Sequence, residues 1–227
     1  MLKNKKTYYQ LILDRSGSMQ DCVTATVNGF NEQMQMIRSM KKKFPEQEFG
    51  VSLTTFNQNV YFDVDQEDPD KIKELVSAHN AQSWVRDINK IVYEPNGMPA
   101  LYDAIGMSVE KIQKTAGEEI NNDTATVVVV ILTDGHENSS VKYRYAQIQS
   151  MIKELEHSEN WTFSYLSNTP DAVEYAASMN IKRENAIRYN KASMKENYND
   201  ILYSMDNYFD LKQRNIKEKN FIKSKEK

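Results

Sequence analysis

The sequence has too few cysteines for the disulfides that stabilise many small secreted proteins. Cys22 is its one cysteine in 227 residues, so neither an internal disulfide nor a zinc site built on cysteines is possible. We therefore expect a reducing, cytoplasmic location, since structural disulfides belong to oxidising compartments. The start of the chain is basic, but the short strand pattern that follows is broken by Asp14, which is not the pattern of a signal peptide.

Long apolar runs and a strong net charge are also missing. No run approaches the roughly 20 apolar residues that cross a bilayer, so we expect no membrane partner. The 29 Lys and Arg residues nearly balance the 32 Asp and Glu residues, for a net charge of −3. No basic stripe is interleaved with aromatic residues, so nucleic acid is not the expected partner.

What the chain does contain is enough apolar material for one large domain. Hydrophobic residues make up 40% of the sequence, which suffices for a sizeable core. We predict a single α/β domain over residues 1–211 and a solvated Lys-rich tail over residues 212–227. The sequence leaves the oligomeric state open.

Apolar periodicity predicts strands that alternate with helices. Strands are predicted at 8–13, 49–56, 60–64, 126–133, 161–166 and 185–189. Helices are predicted at 19–43, 101–115, 143–156, 171–179 and 194–211, with a short helix around 70–76 and mostly loop over 79–98. This order predicts a doubly wound, mostly parallel sheet with helices on both faces and one antiparallel edge strand after the turn at 57–59.

Two of the predicted strands end in aspartate. Asp14, Ser16 and Ser18 alternate after the first strand, and Asp134 follows the strand 126–133. Carboxylate and hydroxyl oxygens suit a small divalent cation such as Mg²⁺. Because ligands of parallel sheets bind beyond the carboxyl ends of the strands, we expect one shared site. Two simpler interpretations stay open: the serines could cap the following helix, and Asp134-Gly135 could be a plain turn.

The spacing Asp14-x-Ser16-x-Ser18 resembles the metal-ion-dependent adhesion site of von Willebrand factor type A (VWA) domains. The likeness extends to Phe56-Asn57 and to the segments 95–106 and 131–138, and it covers roughly residues 7–210. It implies a Rossmann-like VWA fold in a stand-alone cytoplasmic protein of the microbial or phage type. It does not choose among tellurium-resistance, ATPase-associated and phage accessory roles.

The resemblance also implies a function. Ser16 and Ser18 would bind Mg²⁺ or Mn²⁺ directly, Asp14 and Asp134 would act mainly through water, and an acidic residue of a partner protein would complete the coordination. Such a protein-binding module is not an enzyme. The residues expected on the rim of the site, where they could contact the partner, are Arg15, Tyr102, His136 and Glu137.

One residue departs from the family pattern. Pro99 stands where the family has a threonine ligand, and proline has no side-chain oxygen. Metal binding is therefore expected to be weakened or lost, unless water, Asn96 or Asp103 takes the place of that ligand. The alternative is a metal-independent scaffold in a multiprotein complex.

An enzyme that uses the same metal, either a hydrolase or a phosphotransferase, is the third interpretation. The chain has three histidines and no Gly-x-Ser-x-Gly motif, so a serine hydrolase is poorly supported. It also contains no phosphate-binding Gly-Lys-Ser/Thr run.

Overall fold

A computed structural model describes residues 5–77 and 90–189, together with residues 201, 203, 204, 206–208, 210 and 211. The strands are β1 (Lys6–Asp14), β2 (Glu48–Phe56), β3 (Val60–Glu67), β4 (Glu74–Ser77), β5 (Lys90–Tyr93), β6 (Ala125–Thr133), β7 (Trp161–Ser167) and β8 (Ala186–Arg188). The α helices are α1 (Val23–Lys43), α2 (Leu101–Asn121), α3 (Tyr145–His157) and α4 (Ala172–Ser178). Short 3₁₀ helices cover Gly17–Cys22, Pro69–Lys71 and Arg183–Asn185.

The main sheet has six strands in the order β3-β2-β1-β6-β7-β8. The pairings of β1 with β2 and β6, of β6 with β7 and of β7 with β8 are parallel. The edge strand β3 pairs antiparallel with β2. This is the predicted doubly wound sheet with one antiparallel edge strand, and the fold prediction is confirmed.

Strand β6 shows why the sequence folds into this arrangement. All nine of its residues are buried, which is typical of a central parallel strand covered on both faces. Val128, Val130 and Leu132 pack on the α1 side of the sheet. Their neighbours Val127, Val129 and Ile131 pack on the side of α2 and α3. Each face of the sheet therefore has its own apolar core.

The short helix predicted around 70–76 is wrong. The chain makes one 3₁₀ turn at Pro69–Lys71 and then forms β4, which pairs parallel with β5 in a separate two-stranded sheet. The amide of Asn31, on α1, explains the difference, because its Oδ1 accepts from the Leu75 N–H and its Nδ2 donates to the Leu75 carbonyl. This side chain takes the place of a strand partner.

The loop predicted over 79–98 is only partly tested. Lys90–Tyr93 is strand β5, so the prediction is wrong there, while residues 78–89 lie outside the described residues. Most of the predicted helix 194–211 also lies outside them, although the described residues between 201 and 211 are helical. The tail at 212–227 is not described, so the domain limits stay a prediction.

Two helix boundaries differ from the prediction. Helix α2 runs to Asn121, past the predicted end at residue 115, because the buried residues Ala116 and Ile120 continue its apolar face. Helix α1 begins at Val23 instead of residue 19, after the 3₁₀ turn Gly17–Cys22, which contains Ser18. Among the described helices, none is long and apolar enough to span a membrane.

Two glycines of α2 give a matched test of how this helix packs against the segment between β6 and α3. A Cβ at Gly106 would lie 2.6 Å from ring carbons of Tyr143, whereas nothing lies within 4 Å of a Cβ at Gly117. We expect Gly106→Ala to lower the free energy of unfolding by about 1–3 kcal/mol through overpacking. Gly117→Ala should raise it by up to about 1 kcal/mol, since alanine is the better helix former. Urea denaturation measures both changes, and equal changes of the same sign would contradict this packing.

Candidate functional site

The candidate site lies where β1 and β6 end side by side. The last residue pair between these two strands is Leu13 with Leu132, so Asp14 and Asp134 leave the sheet at the same edge. Both side chains are buried, Asp14 completely. The prediction that two acidic strand ends meet at one place therefore agrees with the sheet topology.

The two serines connect these strand ends. Ser16 Oγ lies 3.2 Å from Ser18 Oγ, and Ser18 Oγ donates to Asp134 Oδ1 over 2.5 Å. Ser16 is buried and Ser18 is exposed, so this chain of oxygens runs from the interior to the surface. The Ser16 side chain makes no capping hydrogen bond to the 3₁₀ turn that follows it, which argues against the helix-cap interpretation.

Both carboxylate oxygens of Asp14 accept hydrogen bonds from within the protein. Oδ1 accepts from the Ser16 N–H over 2.6 Å, and Oδ2 accepts from Thr133 Oγ1 over 2.6 Å. Burial raises the pKa of Asp14 to about 6, against the lowering effect of these hydrogen bonds, and the nearby charge of Asp134 raises it further. Thr133 was not singled out from the sequence, although its place directly before Asp134 was a usable signal.

A second loop runs beside the serine loop and supports it. Asn96 N–H donates to the Arg15 carbonyl over 2.8 Å, and Gly17 N–H donates to the Gly97 carbonyl over 2.9 Å. Gly97 has a φ of 72°, and the Gln58 side chain occupies the space that a Cβ would need. Only glycine fits both conditions.

The residues considered as replacements for the threonine ligand are bonded elsewhere. Asn96 Oδ1 accepts from Asn57 Nδ2 over 2.6 Å. The Asp103 carboxylate accepts from three consecutive main-chain N–H groups, those of residues 141–143. Pro99 itself contributes its carbonyl oxygen, which accepts from the N–H groups of Asn138 and Ser139. In this structure the side-chain oxygens of Asn96 and Asp103 thus accept hydrogen bonds from other parts of the protein.

Tyr102 and Glu137, two of the four rim residues, contact each other. Glu137 Oε2 accepts from the Tyr102 N–H over 2.9 Å, and Oε1 accepts from the Ser140 N–H over 2.5 Å. A carboxylate at the first turn of α2 satisfies an N–H that has no partner within the helix. In this structure Glu137 orders the loop after β6.

The two remaining rim residues, His136 and Arg15, contact different parts of the protein. His136 Nε2 lies 3.0 Å from Asp171 Oδ1, and its ring centroid lies 4.5 Å from that of Tyr175. Arg15 lies toward β3, where its guanidinium stacks 4.9 Å from the ring centroid of Tyr61. Asp171, Tyr175 and Tyr61 were not identified from the sequence, because contacts between distant loops leave no local pattern.

The donor set at this edge fits a small divalent cation. Two hydroxyls and two carboxylates are hard oxygen donors of the kind that Mg²⁺ prefers. Within residues 5–77 and 90–189 and the described part of 201–211, no three His, Cys, Asp or Glu side chains cluster in a way that could hold a metal. A cation at this edge would therefore depend on the serine hydroxyls.

Solved structures with the same fold cover most of the chain. One of them is proximal thread matrix protein 1 from the mussel byssus, in a form described as having a zinc-occupied MIDAS (metal-ion-dependent adhesion site) motif. It aligns with a TM-score of 0.54 and 12% identity over 88% of this chain and 45% of its own. The ArnB paralog VWA2 from Sulfolobus acidocaldarius aligns with a TM-score of 0.51 and 13% identity over 88% of this chain and 45% of its own.

A third similar structure is a D319A mutant of the PilB minor pilin from Streptococcus sanguinis, with a TM-score of 0.51 and 11% identity over 93% of this chain and 63% of its own. The chain thus spans between 45% and 63% of the length of these solved chains. At such low identity the likeness concerns the fold alone.

Comparison of the sequence with known families identifies its family. No curated protein matches the chain. The family model of the von Willebrand factor type A domain matches residues 10–203, which include both strand ends and all the site residues described above. The chain belongs to the von Willebrand factor type A domain family, whose domains are generally protein-interaction modules.

Proposed function

We propose that this domain binds a partner protein through a divalent cation, Mg²⁺ or Mn²⁺, that engages an acidic residue of the partner. The observation that carries the proposal is the continuous contact from Ser16 Oγ to Ser18 Oγ and on to Asp134 Oδ1. These three oxygens come from two different strand ends and meet at Ser18, which is exposed. The zinc-occupied MIDAS motif named for the mussel protein belongs to that protein, and it supports the idea only by analogy of fold.

The contacts suggest a different role for each residue. Ser16 and Ser18 are proposed as direct ligands, because a hydroxyl oxygen can offer a lone pair to a cation while its hydrogen stays bonded to another oxygen. Asp14 is proposed to act through water or through the loop, since both of its oxygens already accept hydrogen bonds. With few direct anionic ligands, the bound cation would supply an electron-poor centre that attracts a carboxylate from the partner.

The rim residues are proposed to divide into two groups. His136, which is exposed, and Arg15, which is half-buried and directly precedes Ser16, are suited to contact the partner. Glu137 and the main chain of Tyr102 are suited to hold the loop in place. The cytoplasmic location stays a prediction.

Pro99 favours a second candidate, a VWA scaffold that binds its partner without metal. One oxygen of the family's usual set is missing, and the nearby Asn96 and Asp103 are engaged with other groups. The loops around the site are held by hydrogen bonds within the protein, so the surface keeps its shape without an ion. Removal of metal by a chelator separates this scaffold from the metal-bridged module.

The double substitution Ser16→Ala/Ser18→Ala should abolish Mg²⁺ or Mn²⁺ binding by the purified protein. Isothermal titration measures the binding directly. The matched control is Ser150→Ala, which removes a hydroxyl from an exposed position on α3. If the double variant and the control give the same heats as the unchanged protein, the serines are not ligands and the metal proposal fails.

Pro99→Thr should tighten metal binding, because it restores a hydroxyl at the position of the missing ligand. Loss of an oriented metal-site contact typically changes affinity by about 10–100-fold, and we expect a gain of that order. The proline carbonyl that accepts from Asn138 and Ser139 is retained by threonine. Unchanged affinity in this variant would count against an intact site.

The raised pKa of Asp14 predicts how the metal-free protein responds to pH. In the folded state its pKa is about 6, and its ordinary value is 3.8, so the folded protein holds this proton more tightly than the unfolded chain. The free energy of unfolding should therefore fall as pH rises from about 4 to about 6, by about 3 kcal/mol, and then level off.

Urea denaturation in EDTA across this pH range measures the effect. Asp14→Asn removes the titrating group and keeps a carbonyl oxygen for the Ser16 N–H. The free energy of unfolding of this variant should therefore not show this fall with pH. A fall of the same size in both proteins would assign it to other groups.

A further inference from the structure

Two buried tyrosines from outside the motif reach the main chain of the strand ends. Tyr93, the last residue of β5, donates a hydrogen bond from its hydroxyl to the carbonyl oxygen of Asp14. Tyr189, the residue after β8, donates from its hydroxyl to the carbonyl oxygen of Thr133 over 3.1 Å. The two rings are only 1% and 2% exposed.

The accepting carbonyls lie one residue past the last residue pair between β1 and β6. Asp14 still pairs with Phe56 of β2, and Thr133 still pairs with Ser167 of β7. A buried carbonyl oxygen requires a hydrogen-bond donor, and the tyrosine hydroxyls bring one to each of these carbonyls from outside the main-sheet ladder. Here the second sheet supplies one donor and the segment after β8 supplies the other.

The same two residues are joined a second time through their side chains. Thr133 Oγ1 donates to Asp14 Oδ2, while the tyrosine hydroxyls hold the main chain of both residues. Both tyrosine rings belong to the core on the α1 side of the sheet. The strand ends are therefore fixed at their carbonyl groups as well as at their side chains.

We propose that Tyr93 and Tyr189 are positioning residues of the metal site. By fixing the main chain at Asp14 and Thr133, they hold the serine loop and Asp134 at the separation that lets their oxygens converge. The effect on metal affinity rests on the proposed function. The effect on the geometry of the metal-free loop does not.

The test compares Tyr93→Phe and Tyr189→Phe with Tyr208→Phe, each of which keeps the ring and removes one hydroxyl. Tyr208 is a matched control, because it is also buried and donates to Thr126 Oγ1 over 3.3 Å near the opposite end of β6. Mn²⁺ titration should show affinity lower by about 10–100-fold in the first two variants and unchanged in the control, as for other groups that orient metal ligands.

Amide hydrogen exchange in EDTA gives a readout that needs no metal. The N–H groups of Arg15, Ser16 and Gly17 are all hydrogen-bonded in the folded protein. Tyr93→Phe should speed their exchange relative to amides in the middle of β1, and Tyr208→Phe should not.

The two readouts separate failure of this proposal from failure of the proposed function. Absence of Mn²⁺ binding in the unchanged protein would remove the metal site, while faster loop exchange in Tyr93→Phe would still support positioning. If Mn²⁺ titration does not separate the two tyrosines from Tyr208, and amide exchange does not separate Tyr93 from it, the proposal is overturned. A lower urea midpoint with unchanged loop exchange also counts against it, since that result describes packing alone.

Discussion

The buried carboxylate of Asp14 is the interaction on which this edge of the protein depends. Its oxygens join the end of β1 to the serine loop through Ser16 N–H and to the end of β6 through Thr133. Burying a charge without a cationic partner is unfavourable, and the raised pKa of about 6 expresses that penalty. The hydrogen bonds that offset part of the penalty also link the two strand ends to each other through side chains.

Carboxylates elsewhere at this edge serve as acceptors for main-chain N–H groups. Asp103 accepts from three consecutive N–H groups after β6, and Glu137 accepts from the first turn of α2 and from Ser140. Hydrogen bonds from N–H groups to ionised acceptors are stronger than those between neutral groups. The loop after β6 is therefore held by two carboxylates, which leaves Asp134 as the acid of this loop that contacts Ser18.

The sequence allowed the fold and the residues of the strand ends to be predicted, because both depend on local pattern. The apolar run of β6 followed by Asp134, and the alternating oxygens after β1, are visible without a structure. Strand β4 was missed because the Asn31 side chain, distant in sequence, completes its hydrogen bonds. Tyr93 and Tyr189 were missed for the same reason, since hydrogen bonds between remote residues leave no periodicity.

A cation at this edge would meet oxygens that the protein already uses in hydrogen bonds. Ser18 Oγ donates its one hydrogen to Asp134 and keeps its lone pairs, so coordination need not break this hydrogen bond. A positive ion near Asp14 would relieve a penalty of about 3 kcal/mol for its buried charge. The existing contacts therefore do not by themselves oppose an ion. The affinity would then depend on how many oxygens the loops can offer, and Pro99 lowers that number because proline has no side-chain oxygen.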